Sequence, residues 1–243
     1  EALLTEINHK GLSKEFISVH DSKPTSVVEV ELDQSGSANY QIVLDTAWDN
    51  ISLSQRVIDK VKSSDVFVFG SLIARTESSL SSLEQLLDLA KFKVFDVNLR
   101  APHYQLKTLI KLMDKADFIK LNDDELYEIA KSMGCKYHSL EQNLAFIAEK
   151  TNTDYLCVTK GNHGALLHIQ GKSYYNSGYH IQVVDTVGAG DSFLGSLIYQ
   201  LCIGSSAQHA IDFACAVGAM VAQRQGATPI LSHQQINEFI EPL

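Results

Sequence analysis

The chain has 243 residues, 45% of them hydrophobic and 20% charged, and its 29 Asp and Glu outnumber 20 Lys and Arg to give a net charge of −9. That balance supplies enough apolar surface for a core and excludes a collagenous, low-complexity or wholly disordered chain. The acidic charge makes nucleic acid and anionic membrane poor partners, so an anion must be held by a local site rather than by the overall field.

Taken in chain order, Thr25–Leu32 is rich in β-branched residues, Asp33-Gln-Ser-Gly-Ser37 is a turn cluster, and Ala38–Leu44 is a second strand. Together residues 25–44 predict a β-hairpin, read as a lid on a larger body. From about residue 51 short apolar runs alternate with helical patterns. Strands are predicted at 65–69, 92–97, 117–121 and 154–159, and helices at 78–91, 104–115, 123–133 and 140–151. Hairpin-like strands follow at 164–169 and 172–176, then a strand at 179–184 and helices at 190–203, 207–224 and 233–241. Single helices between strands predict βαβ units, hence a mostly parallel sheet with helices on both faces and antiparallel strands at one edge.

The longest apolar stretch, Phe213–Ala222, is ten residues long and reads as a buried helix rather than a membrane span. Nothing at the front reads as a signal peptide. Cys135, Cys157, Cys202 and Cys215 are far apart with no C-x-x-C pair. They predict reduced, buried thiols in a cytoplasmic protein.

The most informative segment is Asp185-Thr-Val-Gly-Ala-Gly-Asp-Ser-Phe193, set between the predicted strand ending at Val184 and the predicted helix with Phe193, Leu194, Leu197, Ile198 and Leu201 on one face. Two glycines let the backbone turn tightly and present bare N–H groups. The helix start adds unpaired N–H groups and the positive end of its dipole, so the segment predicts an anion hole suited to phosphate. Asp191 lies in that first turn. By itself it reads as a helix-capping acid. Beside an anion hole it is also placed to accept a proton from a substrate hydroxyl while the amides stabilise a phosphoryl group.

Two other phosphate motifs fail on spacing. G-x-G-x-x-G would need glycine where Phe193 stands, and a Walker loop ending in Gly171-Lys172-Ser173 would need glycine at Leu166. Gly171-Lys172 lies between two predicted strands and reads as a hairpin turn.

The 185–193 segment resembles the signature of the ribokinase-like (PfkB) sugar kinases. The resemblance implies a three-layer α/β/α fold with a mostly parallel sheet and a small β lid. It implies Asp191 as catalytic base and Gly188, Ala189 and Gly190 as the anion hole. Other segments fit the same family. Asp96-Val-Asn-Leu-Arg100 matches its D-x-N-x-R stretch, which implies Asn98 and Arg100 near substrate and phosphates; alone, Arg100 reads equally as a surface ion-pair residue. Asn122 and Glu125 match N-x-x-E, which implies a nucleotide-side role for Asn122 and water-mediated Mg²⁺ organisation by Glu125. The same residues read as a helix cap and a first-turn acid, and both roles are compatible. Asp123 and Asp124 read as capping or solvated residues.

Thr159, Gly161 and Gly164 match the nucleotide-contact loop; Lys160 reads equally as a lysine approaching a phosphate or as a solvated one, and His163 as a loop residue. Gly226, in the stretch 214–229 that resembles the adenine-flanking helix and turn, completes the nucleotide set. Cys215 stands there where relatives often carry Asn or His for the base.

Val68-Phe-Gly-Ser-Leu72 with Arg75, Phe95–Tyr104, and Tyr40-Gln-Ile-Val-Leu44 with Ala47-Trp48-Asp49 are most similar to the fructokinase branch. The resemblance then implies ATP-dependent phosphorylation of fructose to fructose 6-phosphate, with ATP and Mg²⁺ as cofactors. It leaves open ribose, adenosine or 2-keto-3-deoxygluconate as substrate, a non-catalytic nucleotide or sugar sensor, and a monovalent cation near Asp185 and Thr186. A homodimer through the lid is likewise implied. The sequence opens on Glu1 rather than Met. Family members carry an earlier portion with the first strand, a sugar-gripping Asp, a Gly-Gly loop and half of the lid. The expectation is a single kinase domain over 1–243 that lacks this N-terminal part and is not active by itself.

Overall fold

The computed structural model of the protein describes residues 2–32 and 38–241. The chain divides into two compact units, Glu1–Lys93 with Arg100–Tyr104 and Val94–Leu99 with Gln105–Leu243.

The first unit runs through α1 (Ala2–His9), β1 (Val28–Leu32), β2 (Ala38–Ile42), a one-turn 3₁₀ helix (Ala47–Asn50), α2 (Gln55–Ser63), β3 (Phe67–Gly70), a second 3₁₀ turn (Leu72–Arg75) and α3 (Glu77–Leu87). Strands β1 and β2 form the predicted hairpin, antiparallel with Val28 opposite Ile42 and Leu32 opposite Ala38. Its predicted turn at 33–37 lies outside the described residues. Helices α1 and α2 were not among the predicted elements. Helix α3 is shorter than the predicted 78–91, and its leucine stripe buries Leu83, Leu86 and Leu87.

A buried ion pair organises this unit. Arg75 Nε donates to Asp49 Oδ1 at 2.6 Å and its Nη2 donates to Asp49 Oδ2 and to the Val43 carbonyl, each at 2.7 Å. Only 2% of either side chain is exposed. The guanidinium also stacks 4.4 Å from the Trp48 ring centre. Burial opposes ionisation of Asp49, but Arg75 and the Thr46 amide outweigh it and hold the carboxyl below its usual range. Arg75 therefore ties the end of β2 to the 47–50 turn.

The second unit holds β4 (Lys93–Asp96), α4 (Leu106–Lys115), β5 (Phe118–Asn122), α5 (Asp123–Ser132), α6 (Leu140–Thr151), β6 (Tyr155–Thr159), a 3₁₀ turn (Gly161–His163), β7 (Ala165–Ile169), β8 (Lys172–Asn176), α7 (Ala189–Cys202), α8 (Ala207–Ala222) and α9 (His233–Ile240). Strands β4, β5 and β6 pair in parallel, and β7 and β8 extend the sheet antiparallel. Gln170 and Gly171, both at positive φ, form the two-residue β7–β8 turn, one residue earlier than the Gly171-Lys172 corner expected, and Lys172 opens β8 opposite Ile169.

Helices α5 and α6 pack on β5 and β6, and α8 packs on β7 and β8. Along β6, Leu156, Cys157 and Val158 are all fully buried. Successive side chains of a strand point to opposite faces, so helices cover both. Accordingly Phe118, Ile119 and Leu121 are all fully buried. The apolar stretch 213–222 is indeed a buried helix segment, packed on α9 through Phe213, Val217, Val221 and Ile236. Among the described residues no helix is long and apolar enough to cross a membrane.

Two expectations are corrected. Residues 179–184 form no strand. The Val184 and Asp185 amides both donate to the Ala222 carbonyl at the end of α8, at 2.8 and 3.2 Å, instead of joining a ladder. Val183 and Val184 stay exposed as a result. Of the four free cysteines only Cys157 and Cys215 are buried, while Cys202 is exposed at the last residue of α7.

Candidate active site

The glycine-rich segment opens α7 in an unusual way. Its N-cap is Gly188, with φ 79°, and a residue without a side chain offers no capping oxygen. Elsewhere Ser54, Asn122, Ser139, Ser206 and Ser232 each accept a first-turn amide. In α7 the Ala189 N–H turns back to the Thr186 carbonyl at 3.2 Å. Among the described residues the Gly190 and Asp191 N–H groups have no such partner. The Ala189 N–H is thus occupied within its own turn, while those of Gly190 and Asp191 are not.

Gly188 is required by both conformation and space. Besides its left-handed φ, an added β-carbon would lie 2.3 Å from the Ala227 carbonyl oxygen and 2.8 Å from the Ala227 Cα. The loop around Gly226 is thus packed against the glycine segment. Asp185 bridges the two, accepting from the Val187 N–H at 3.0 Å and from the Gly226 N–H at 3.2 Å. Its carboxylate is occupied as a loop brace, which is the arrangement at the position where a monovalent cation was left open.

Asp191 occupies the third helical position. At the same position Glu125, Gln235 and Asp49 fold back to cap their own helices. Asp191 does not: its carboxylate is exposed and makes no hydrogen bond or ion pair among the described residues. The capping account of this acid therefore fails, and a free carboxylate remains beside two free amides.

Under this turn lies a pair not singled out from the sequence. Lys120 of β5 stands in register with Asp96 of β4, and its Nζ donates to Asp96 Oδ1 at 3.0 Å. Their side chains are only 9% and 11% exposed. A β-carbon on Gly190 would lie 3.9 Å from Lys120 Nζ. The signal was present in the sequence as one charge inside each of two otherwise apolar strand runs, Phe118-Ile-Lys-Leu121 and Val94-Phe-Asp-Val97.

The strand ends gather most of the other expected residues. Asn122 and Thr159 face each other across β5 and β6. Asn122 Oδ1 accepts the Glu125 N–H at 2.8 Å, and Glu125 returns the bond through the Asn122 N–H at 2.9 Å. The second Glu125 oxygen accepts the Leu99 N–H at 2.8 Å, which fastens the loop after β4 to the start of α5. Asn98, at φ 44°, lies in that loop; asparagine tolerates this backbone region. Burial raises the Glu125 pKa above the usual carboxylate value, against the pull of the two amides and Lys120.

Thr159 donates to the Leu121 carbonyl at 3.4 Å, and the Lys160 N–H closes the following loop on the Gly164 carbonyl at 2.8 Å. Gly161 lies in the 3₁₀ turn between them. A side chain at Gly164 would meet the Asn176 carbonyl at 2.0 Å, which fixes the loop against the end of β8. Cys215 is part of the buried wall, its thiol pushed up to about 12 by burial and by Asp212. Arg100 is exposed and belongs to the first unit, where its carbonyl accepts the His103 N–H.

The second unit thus brings together Lys120, Asn122, Glu125, Thr159, Gly190 and Asp191 at the C-terminal ends of parallel strands, the customary ligand edge of such sheets. Free amides, a helix dipole and a buried ammonium suit a phosphoryl group, and the adjacent carboxylate suits proton removal. Among the described residues no group of three His, Cys, Asp or Glu converges to hold a metal ion directly.

A family model described as pfkB family carbohydrate kinase matches residues 1–234. The probable fructokinase-3 of Arabidopsis thaliana is 26% identical over 244 residues, covering 93% of this chain and 69% of its own. The fructokinase of Vibrio alginolyticus is 27% identical over 245 residues, covering 94% and 77%. Among solved structures, the fructokinase of Vibrio cholerae O395 in a form with fructose, ADP and calcium superposes with a TM-score of 0.82 at 22% identity over 99% of this chain and 81% of that one. A ribokinase from Thermotoga maritima does so with a TM-score of 0.76 at 19% identity over 99% and 76%. At those identities the likeness shows the ribokinase-like three-layer α/β/α fold.

Proposed function

This chain belongs to the pfkB family of carbohydrate kinases, and we propose that it carries the site for transferring the γ-phosphoryl group of ATP to a sugar hydroxyl, with fructose as acceptor and fructose 6-phosphate as product. The observation that carries this reading is the Asp191 carboxylate, unused by its own helix and set beside the unpaired amides of Gly190 and Asp191.

In this reading the acceptor oxygen attacks the γ-phosphorus, the bond to the β–γ bridging oxygen breaks, and ADP leaves. Asp191 takes the hydroxyl proton, and the two amides stabilise the charge spread over the moving phosphoryl oxygens. Asn122, Thr159, Gly161, Gly164 and Gly226 form the nucleotide side. Mg²⁺, when bound, neutralises phosphate charge. Glu125 fits it only through water, because both its oxygens already accept amide hydrogen bonds and Mg²⁺ keeps several waters. The relatives whose names specify fructose support that acceptor. The buried, reduced thiols and the demand for ATP support a cytoplasmic setting.

The test, on the full-length protein, is sugar-dependent ADP release across fructose, ribose, adenosine and 2-keto-3-deoxygluconate. Fructose is expected to support turnover best, and Asp191→Asn to lower kcat by roughly 10²–10⁴-fold with ATP affinity nearly unchanged. Nucleotide binding without sugar-dependent ADP release would mean a sensor rather than a kinase.

A further inference from the structure

A buried lysine needs a reason. Removing an ammonium from water costs several kcal/mol, and one carboxylate contact offsets only part of it. Among the described residues the hydrogen-bond partner of Lys120 Nζ is Asp96, which leaves two of its three N–H donors available. Glu125, whose charge also interacts with Lys120, is committed to the amides of Asn122 and Leu99. Above the ammonium is the start of α7, with the positive end of its dipole and the unpaired amides of Gly190 and Asp191. The remaining N–H donors of Lys120 and the unpaired amides thus lie close together, with the Asp96 and Asp191 carboxylates beside them. Those donors are favourable partners for a multiply charged anion that enters between them.

We infer that Lys120 donates to the transferring phosphoryl group together with the Gly190 and Asp191 amides, and that Asp96 is the positioning residue that aims its ammonium. Gly190 fits this role. Its missing side chain leaves open the space where a β-carbon would lie 3.9 Å from Lys120 Nζ. The inference rests on the kinase reading and deepens it. It adds a charged side chain to what was an all-backbone anion site, and it explains why the charges of β4 and β5 stand in register.

The experiment compares the intact protein with Lys120→Met, Lys120→Arg and the double variant Lys120→Met/Asp96→Asn. The double variant removes both partners, so no unpaired charge stays buried and folding can be separated from chemistry. Thermal melts report folding, calorimetry reports Kd for ADP and for a non-hydrolysable ATP analogue, and a coupled assay reports kcat. The expected result is a kcat loss of roughly 10²–10³-fold in Lys120→Met and in the folded double variant, partial recovery in Lys120→Arg, ADP affinity within about threefold, and analogue affinity weakened about tenfold. A folded double variant with wild-type kcat and analogue affinity would overturn the inference and leave the kinase reading standing. Absence of sugar-dependent ADP release in the full-length wild type would sink the kinase reading, while a selective loss of analogue over ADP binding in Lys120→Met would still support the lysine as a phosphate ligand.

Discussion

Gly188 and Gly190 are separated by one residue, yet replacing each by alanine should have opposite effects on stability. At Gly188 the backbone has φ 79°, and a new β-carbon would sit 2.3 Å from the Ala227 carbonyl oxygen. The left-handed conformation costs about 1–2 kcal/mol for alanine, and forcing a methyl group into packed backbone costs about 1–3 more. A loss of about 2–5 kcal/mol corresponds, at about 2–4 °C per kcal/mol for a chain of this size, to a fall in Tm of roughly 4–20 °C. Gly190 lies inside α7 with ordinary helical φ, and its β-carbon would meet nothing closer than Lys120 Nζ at 3.9 Å. Alanine is the better helix former by up to about 1 kcal/mol, so Gly190→Ala should leave Tm unchanged or slightly raised. Its methyl group, however, fills the space between the amides and the ammonium. Phosphoryl oxygens must come within about 3 Å of those donors, while a methyl group holds other atoms off at about 3.5–4 Å. Turnover should therefore fall about 100-fold or more in a protein that melts normally. Scanning calorimetry and a coupled ADP assay on the two purified variants decide the matter. Near-normal turnover by Gly190→Ala would refute the placement of the anion between these groups, and a Gly188→Ala variant melting within 2 °C (roughly 1 kcal/mol or less) of wild type would refute the close packing of Gly188 on Ala227.

Three further outcomes are expected. Arg75→Met strands the buried Asp49 carboxylate and should cost about 3–5 kcal/mol, read as a lowered urea midpoint; a cost under about 1 kcal/mol would show the pair to be solvated. Glu125→Gln keeps one amide acceptor and loses the other, so it should destabilise by about 1–3 kcal/mol at acid pH. Burial raises the Glu125 pKa, so the wild-type contribution is full below the ordinary carboxylate pKa of about 4.3 and is lost as pH rises through the higher folded value. The deficit of the variant should accordingly narrow toward neutral pH, and a deficit that widens instead would reverse the assigned sign. Finally, Cys202 is exposed whereas burial raises the thiol pKa of Cys157 and Cys215. Iodoacetamide on the native protein should label Cys202 far faster than that buried pair, which mass spectrometry of the digest would read.

The local sequence went a long way toward this site. Gly-Ala-Gly after a turn and before an apolar stripe specifies an uncapped helix start, because glycine at the cap carries no oxygen to satisfy the first-turn amides. Asn122 with Glu125 three residues later likewise specifies a capping box, and the structure contains one. The hairpin at Gln170-Gly171 follows from the positive φ that such a turn demands. In each case the deciding interactions lie within a few residues of chain, so the sequence carries them.

Other features depended on contacts between distant segments. Residues 179–184 alternate as a strand should, but their amides found the Ala222 carbonyl instead of a neighbouring strand. Whether Asp191 would cap its helix or stay free was open until the fold placed no backbone partner for it. Lys120 and Asp96 are 24 positions apart, and only the parallel register of β4 and β5 makes one ammonium and one carboxylate neighbours under Gly190. The sequence by itself determined the phosphate-binding turn and the alternation of helices and strands, because hydrogen bonds within a turn and hydrophobic period are short-range. Only the tertiary structure decided which buried charges meet beneath that turn, because Coulomb and hydrogen-bond energies depend on distances in space that chain spacing leaves undetermined.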